Sequence, residues 1–157
     1  MLTPESRLSI ERSVLCWLAT CDNSGQPSVS PKEIFTSNGD HTLLIANIAS
    51  PGSMSNIRVN SRVCVSFLDI FAQRGTQVFG TAEVVTKSDE QFTDLAMPLK
   101  ELAGPDYPFS SLFQITATSC KEIIAPRYRL FPDTTEQEQI ESAMRTYGVR
   151  PDTTAAY

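Results

Sequence analysis

The sequence predicts a mainly β domain: a six-stranded antiparallel Greek-key or split barrel with peripheral helices. Three observations carry this. The first three strand-like runs are separated by turn clusters too short to hold a crossover helix, so neighbours run antiparallel. The run Arg62 to Leu68 is apolar on both faces, which places it centrally in a covered or closed sheet. The chain has 157 residues, enough for one core and not for two. An open sheet of this size would leave its edges exposed, so closure or dimerisation is favoured. The expected organisation is one domain over 1–157, with a core of about 10–125 and a C-terminal segment and helix over 126–150.

The elements follow in order. Thr3 can cap a helix, Pro4 suits its first turn and Glu5 complements its positive end, giving a short helix to about Arg12. Val14 to Thr20, Gln26 to Phe35 and Thr42 to Ile48 read as strands. They are separated by the turn clusters Asp22-Asn23-Ser24-Gly25 and Ser37-Asn38-Gly39-Asp40. A short helix with Ser53 as cap is expected to about Asn60, before the strand Arg62 to Leu68. Thr76 to Thr86 is a strand softened by Gly80, where a bulge is expected. Ser88-Asp89-Glu90-Gln91 reads as a capping box for a helix carrying Phe92, Leu95, Ala96, Leu99 and Leu102. Pro98 predicts a kink or break in it, and Gly104-Pro105 its end. Ser111 to Ile124 is the last strand. Thr135 with Glu138 caps a final helix that Gly148 stops.

Composition excludes several function classes. The formal net charge is -5, which disfavours general nucleic-acid binding. No apolar run approaches the length of a membrane span, and polar Thr3 to Arg7 precedes the first apolar stretch, so a cytoplasmic protein is expected. Cys16, Cys21, Cys64 and Cys120 contain no CxxC pair, and His41 is the only histidine. Zinc binding and Ser/His/Asp or Cys/His hydrolysis therefore have almost no support.

Four stretches carry chemistry. Period two places Ser28, Ser30, Lys32 and Ile34 on one strand face, a polar row ending in a cation that suits phosphate or an electron-rich ring. Pro31 tilts that strand toward an edge. From Asn47 to Arg58 a strand delivers the chain to a Ser/Gly turn and a helix start. Free N–H groups and the hydroxyls of Ser50, Ser53 and Ser55 there, with Asn56 and Arg58 following, suit an anion. Gln73, Arg74 and Gln77 lie at a turn between strands, where amides and a guanidinium meet carbonyls or phosphate. Pro126 to Phe131 alternates basic and aromatic residues; it either docks on its own barrel or closes over a planar ligand or a partner.

The run Ser30-Pro31-Lys32, then Leu44-Ile45-Ala46-Asn47, then Ser53 through Asn56-Ile57-Arg58-Val59-Asn60-Ser61-Arg62-Val63-Cys64-Val65, resembles the pyridoxamine 5'-phosphate oxidase-like FMN-binding split-barrel family over roughly 10 to 125. Arg62-Val63-Cys64-Val65 is similar to the family's N-P-R-V strand start. The resemblance implies a homodimer that holds FMN in a cleft between subunits. It puts Lys32 on the strand lining the flavin, Ala46 and Asn47 near the phosphate, and the Ser50 to Asn56 turn around it. Gln73, Arg74 and Gln77 would come from the following hairpin, of the same subunit or the partner. Where the oxidases carry an Arg/Lys pair in the phosphate turn, this chain has Gly52 and Ser53, leaving positive charge to Lys32 and Arg74. The oxidase's C-terminal substrate-binding histidine has no counterpart.

The implied function is an FMN-dependent oxidoreductase acting on a small molecule. The alternatives are a non-catalytic module that stores or senses flavin, or haem through His41, and a deazaflavin-dependent reductase on the same barrel.

Overall fold

The structure is a computed structural model and describes residues 1–151; the last six residues of the expected 1–157 domain lie outside the described residues. The elements are α1 (Pro4–Arg12), β1 (Cys16–Cys21), β2 (Pro27–Lys32), β3 (Phe35–Asn38), β4 (Thr42–Ala46), α2 (Pro51–Val59), β5 (Arg62–Asp69), β6 (Arg74–Thr86), α3 (Phe92–Ala103), β7 (Ser111–Ile124), α4 (Pro126–Leu130) and α5 (Glu136–Tyr147). No described helix is long and apolar enough to cross a membrane.

All strands lie in one sheet of order β2-β1-β5-β6-β7-β4-β3, and every pairing is antiparallel. The two edge strands, β2 and β3, are consecutive in the chain. Lys32 and Phe35 are three residues apart and so at most about 11 Å from each other. The sheet must therefore curl until its edges almost meet, which is the split barrel predicted from sequence.

The strand count is seven rather than six, because the expected strand Gln26 to Phe35 is two. Lys32 pairs with Cys16 of β1, whereas Phe35 pairs with Ile45 of β4. One straight strand cannot serve both partners, so the chain turns a corner at Glu33 and Ile34. There the carbonyl of Ile34 accepts from the Ala46 amide at 2.9 Å. Pro31 sits on an edge strand, where its missing N–H costs no ladder bond.

The barrel interior is filled by Leu18, Phe35, Leu43, Ile45, Val65, Phe67, Val78, Phe113 and Ile115, with Phe35 and Phe67 meeting edge to face at 5.3 Å. A second apolar cluster, outside the barrel, joins Leu44, Val85 and Leu112 to Phe92, Ala96 and Leu99 of α3. The bulge expected at Gly80 is present, as a register shift between Phe79 and Gly80. A Cβ at Gly80 would collide with the Thr116 carbonyl, so the close approach of β7 requires glycine.

Thr3 accepts from the Ser6 amide at 3.1 Å as the cap of α1. Thr135 and Glu138 form the capping box of α5, and Gly148 ends it in the left-handed region. Three local expectations are corrected. Helix α2 begins at Pro51 with Ser50 as its N-cap, not with Ser53, because Pro51 is pre-set for the first helical position. Ser88 caps nothing: the Asp89 carboxylate accepts from the Thr86 amide and hydroxyl at 2.7 Å each, closing a turn, and α3 starts later at Phe92. Pro98 does not break α3, which runs unbroken through it. The buried stripe Phe92, Ala96, Leu99 and Ala103 outweighs the roughly 3 kcal/mol that an interior proline costs.

The 126–131 segment forms α4 and docks on its own barrel. The buried Tyr128 donates to the Ala72 carbonyl at 2.8 Å, and the Arg74 guanidinium lies 4.2 Å from its ring centroid.

Candidate functional site

Strand alternation in β2 turns Val29 and Pro31 outward and brings Ser30 and Lys32 in. Lys32 is only 6% exposed, unusual for a lysine. Its ammonium donates to Ser30 Oγ at 2.8 Å and to Ser50 Oγ at 2.6 Å. Ser30 Oγ in turn lies 3.0 Å from Ser53 Oγ. The stretches around positions 30 and 53 thus meet in one hydroxyl and ammonium cluster.

Among the described residues no carboxylate joins it. The one ion pair among the described residues is Arg7 with Asp40, elsewhere on the surface. Burial pushes the Lys32 pKa down, against an opposing pull from the Cys16 sulfur beside it. Burial also pushes the Cys16 thiol up to about 12, so that neighbour is neutral at physiological pH and no counterion. An ammonium has three N–H donors, and two are accounted for. A buried cation with neutral partners only is costly in the free protein and poised for an anion.

The first turn of α2 adds donors. The Ser50 hydroxyl accepts from Lys32 and makes no cap bond to the helix. The amides of Gly52 and Ser53 are therefore orphans at the positive helix end. A Cβ at Gly52 would meet nothing within 4 Å, so the helix start is uncrowded on that side. Asn47 holds the turn: its side-chain carbonyl accepts from the Ser50 amide at 3.2 Å, and its Nδ2 donates to Ser111 Oγ at 3.0 Å. Asn56 Nδ2 donates to Thr20 Oγ1 at 2.9 Å and fixes α2 on β1.

Beside this cluster opens a pocket of about 300 Å³ lined by Pro31, Lys32, Glu33, Ile34, Ala46, Ile48, Ala49, Ser50 and Tyr107. Its lining has one buried cation, Lys32, one carboxylate, Glu33, and the hydroxyls of Ser50 and Tyr107 on a mostly apolar wall; Lys32 and Ser50 at one end suit an anion attached to an apolar body. Sequence reasoning does not find Tyr107, because Gly104-Pro105 before it marks only the end of a helix. The aromatic between two prolines, Pro105 and Pro108, was the available signal.

The remaining sequence-derived residues lie elsewhere in the single chain. Ser55 and Arg58 are exposed, because Ser53 and Ile57 take the buried side of α2. Gln73 has φ 53 in the β5–β6 turn; its amide donates to the Asp69 carbonyl and its carbonyl accepts from the Ala125 amide. Arg74 lines a separate groove with Arg12, Asp69 and Glu122. Gln77 Nε2 reaches Ser66 Oγ at 3.5 Å. His41 is exposed at the far end of β4 from Ala46, about 16 Å along an extended strand. Among the described residues no cluster of His, Cys, Asp and Glu could hold a metal ion.

Fold and pocket together define a split barrel with a buried ammonium at the mouth of an apolar cavity. The family model for pyridoxamine 5'-phosphate oxidase matches residues 2–125, and the chain belongs to that family. Solved structures share the fold. HupZ of Group A Streptococcus is 23% identical with a TM-score of 0.67, covering 78% of this chain and 100% of its own. An FMN-binding protein from Syntrophomonas wolfei is 14% identical with a TM-score of 0.67, covering 79% and 87%. HutZ, the heme storage protein from Vibrio cholerae, is 22% identical with a TM-score of 0.60, covering 78% and 94%. No curated protein matches the chain in sequence.

Proposed function

We propose that the chain binds FMN as a homodimer and acts as a flavin-dependent oxidoreductase on a small-molecule substrate. The observation that carries this is Lys32, a buried ammonium with no carboxylate partner among the described residues. Such a group gains most from a ligand that brings the missing negative charge. In this reading Lys32, Ser50, Ser53 and the orphan amides of α2 hold the phosphate, and Ile34, Ala46 and Ile48 exclude water from the ring. FMN, when bound, supplies the hydride or electron transfer, and the protein supplies binding and orientation. The fold shared with the Syntrophomonas wolfei FMN-binding protein supports the choice of cofactor.

The dimer completes the cavity. A 300 Å³ pocket is at the lower bound for ligand sites. The outer face of β1, β5 and β6 leaves Trp17 45% and Phe79 36% exposed, beside Ser66 and Gln77. Covering that face with a second copy buries these rings, and a partner's hairpin is the route by which Gln73, Arg74 and Gln77 would reach a flavin.

HutZ gives the haem reading a footing. The position of His41, remote from the pocket, favours flavin over it.

Mass spectrometry of the ligand released from purified protein, with an FMN titration followed by visible absorbance, tests the proposal. The expected result is FMN bound, with turnover of NADH or NADPH against an electron acceptor. Released haem or deazaflavin, or no spectral change with FMN, overturns the cofactor. Bound FMN without turnover across an acceptor panel leaves a flavin store or sensor.

A further inference from the structure

We propose that Tyr107 is the aromatic wall of the pocket, stacking on the planar part of the ligand whose anionic end lies at Lys32. The inference rests on the flavin reading and adds a residue that sets affinity for the ring rather than the phosphate.

Tyr107 is the one aromatic lining the cavity among the described residues. It is 56% exposed, and its hydroxyl has no hydrogen-bond partner among the described residues. A large ring so little covered is normally found on a loose loop, yet this loop is tightly anchored. Gly104 ends α3 with φ +66, and Pro105 and Pro108 restrict the backbone on either side of Tyr107. Phe109 is buried and meets Phe92 edge to face at 6.4 Å. The carbonyl of Ser110 accepts from the Lys87 amide at 3.3 Å.

The loop base is also tied to the anion end. Ser111 accepts twice from Asn47, through its carbonyl from the backbone amide and through Oγ from Nδ2, at 3.0 Å each. Asn47 in turn accepts from the Ser50 amide, and Ser50 accepts from Lys32. One continuous hydrogen-bond chain therefore sets the base of the Tyr107 loop relative to the ammonium. A half-uncovered ring on a loop anchored at both ends, lining a mostly apolar cavity, offers its face to a flat partner.

The test measures FMN and riboflavin binding by flavin fluorescence in wild type, Tyr107→Ala and Tyr107→Phe, with inorganic phosphate as competitor. Stacking on tyrosine quenches flavin emission. The expected result is binding of FMN and riboflavin weakened about threefold to tenfold in Tyr107→Ala. Emission of the bound flavin should recover partly, Tyr107→Phe should retain wild-type affinity, and the phosphate competition constant should be unchanged. FMN bound by Tyr107→Ala with wild-type affinity and emission overturns the role of Tyr107 alone. An altered phosphate constant in that variant also overturns it, since the ring would then be acting on the anion end. Wild-type protein that binds neither flavin overturns this inference together with the flavin reading.

Discussion

Lys32 of the edge strand β2 donates to Ser50, the N-cap of α2, at 2.6 Å, joining segments eighteen residues apart around a buried positive charge. Ser50 thereby gives up its capping bond to the helix. In the flavin reading proposed above, both residues forgo local stability in favour of a ligand.

Lys32→Met keeps the length of the side chain and removes its charge. The free protein should gain about 1 kcal/mol at pH 7, because the uncompensated burial of an ammonium is relieved. The same change should weaken FMN binding at least tenfold, the loss of one charge-assisted contact. Denaturant melts and flavin titrations on the same preparation read both effects; loss of stability would show that the lysine is structural.

Alkaline pH separates the two neighbours Cys16 and Lys32. The folded Cys16 thiol holds its proton to about 12, against about 8.5 unfolded. Its contribution to stability is whole below about pH 8.5 and is lost as pH rises toward the folded value. Lys32 has the opposite sign. Its folded pKa is lowered, so the unfolded chain binds more protons below the ordinary lysine value and stability rises with pH there. Guanidinium midpoints between pH 8 and 10.5 should fall less steeply in Cys16→Ala than in wild type, and more steeply in Lys32→Met.

Gly80→Ala should destabilise the fold by roughly 2 kcal/mol or more, since its methyl group would drive β6 off β7 at the Thr116 carbonyl. Gly52→Ala is the contrast, with nothing within 4 Å of the new atom and a helical position. It should be neutral or stabilising by up to about 1 kcal/mol. Thermal melts of the two variants check the pair.

Trp17→Glu places a charge on the exposed face of β1 without touching the barrel interior. The expected outcome is a monomer by size-exclusion chromatography with light scattering, with unchanged far-ultraviolet dichroism and weaker FMN binding. A variant that remains dimeric would move the interface to another face.

The sequence by itself determined the antiparallel sheet and most helix ends, because these depend on neighbours in the chain; it marked Gly80 for a bulge by residue type, although the contact that requires glycine there, with the Thr116 carbonyl, comes from a distant strand. Turn clusters forbid crossovers, the Thr135 and Glu138 pair caps its own helix, and period two separates the Ser30 and Lys32 face from Val29 and Pro31. It also marked the 30–32 and 47–53 segments as anion-suited, from residue type alone. Only the tertiary structure decided that Lys32 is buried without a carboxylate among the described residues, that its partners are Ser30 and Ser50, and that Tyr107 shares its pocket. It also decided that the helix α3 survives Pro98 and that the strand 26–35 divides in two. Each of these depends on contacts between residues distant in the chain. Curling the sheet until β2 and β3 meet brings such residues together, and no local periodicity encodes where that closure falls.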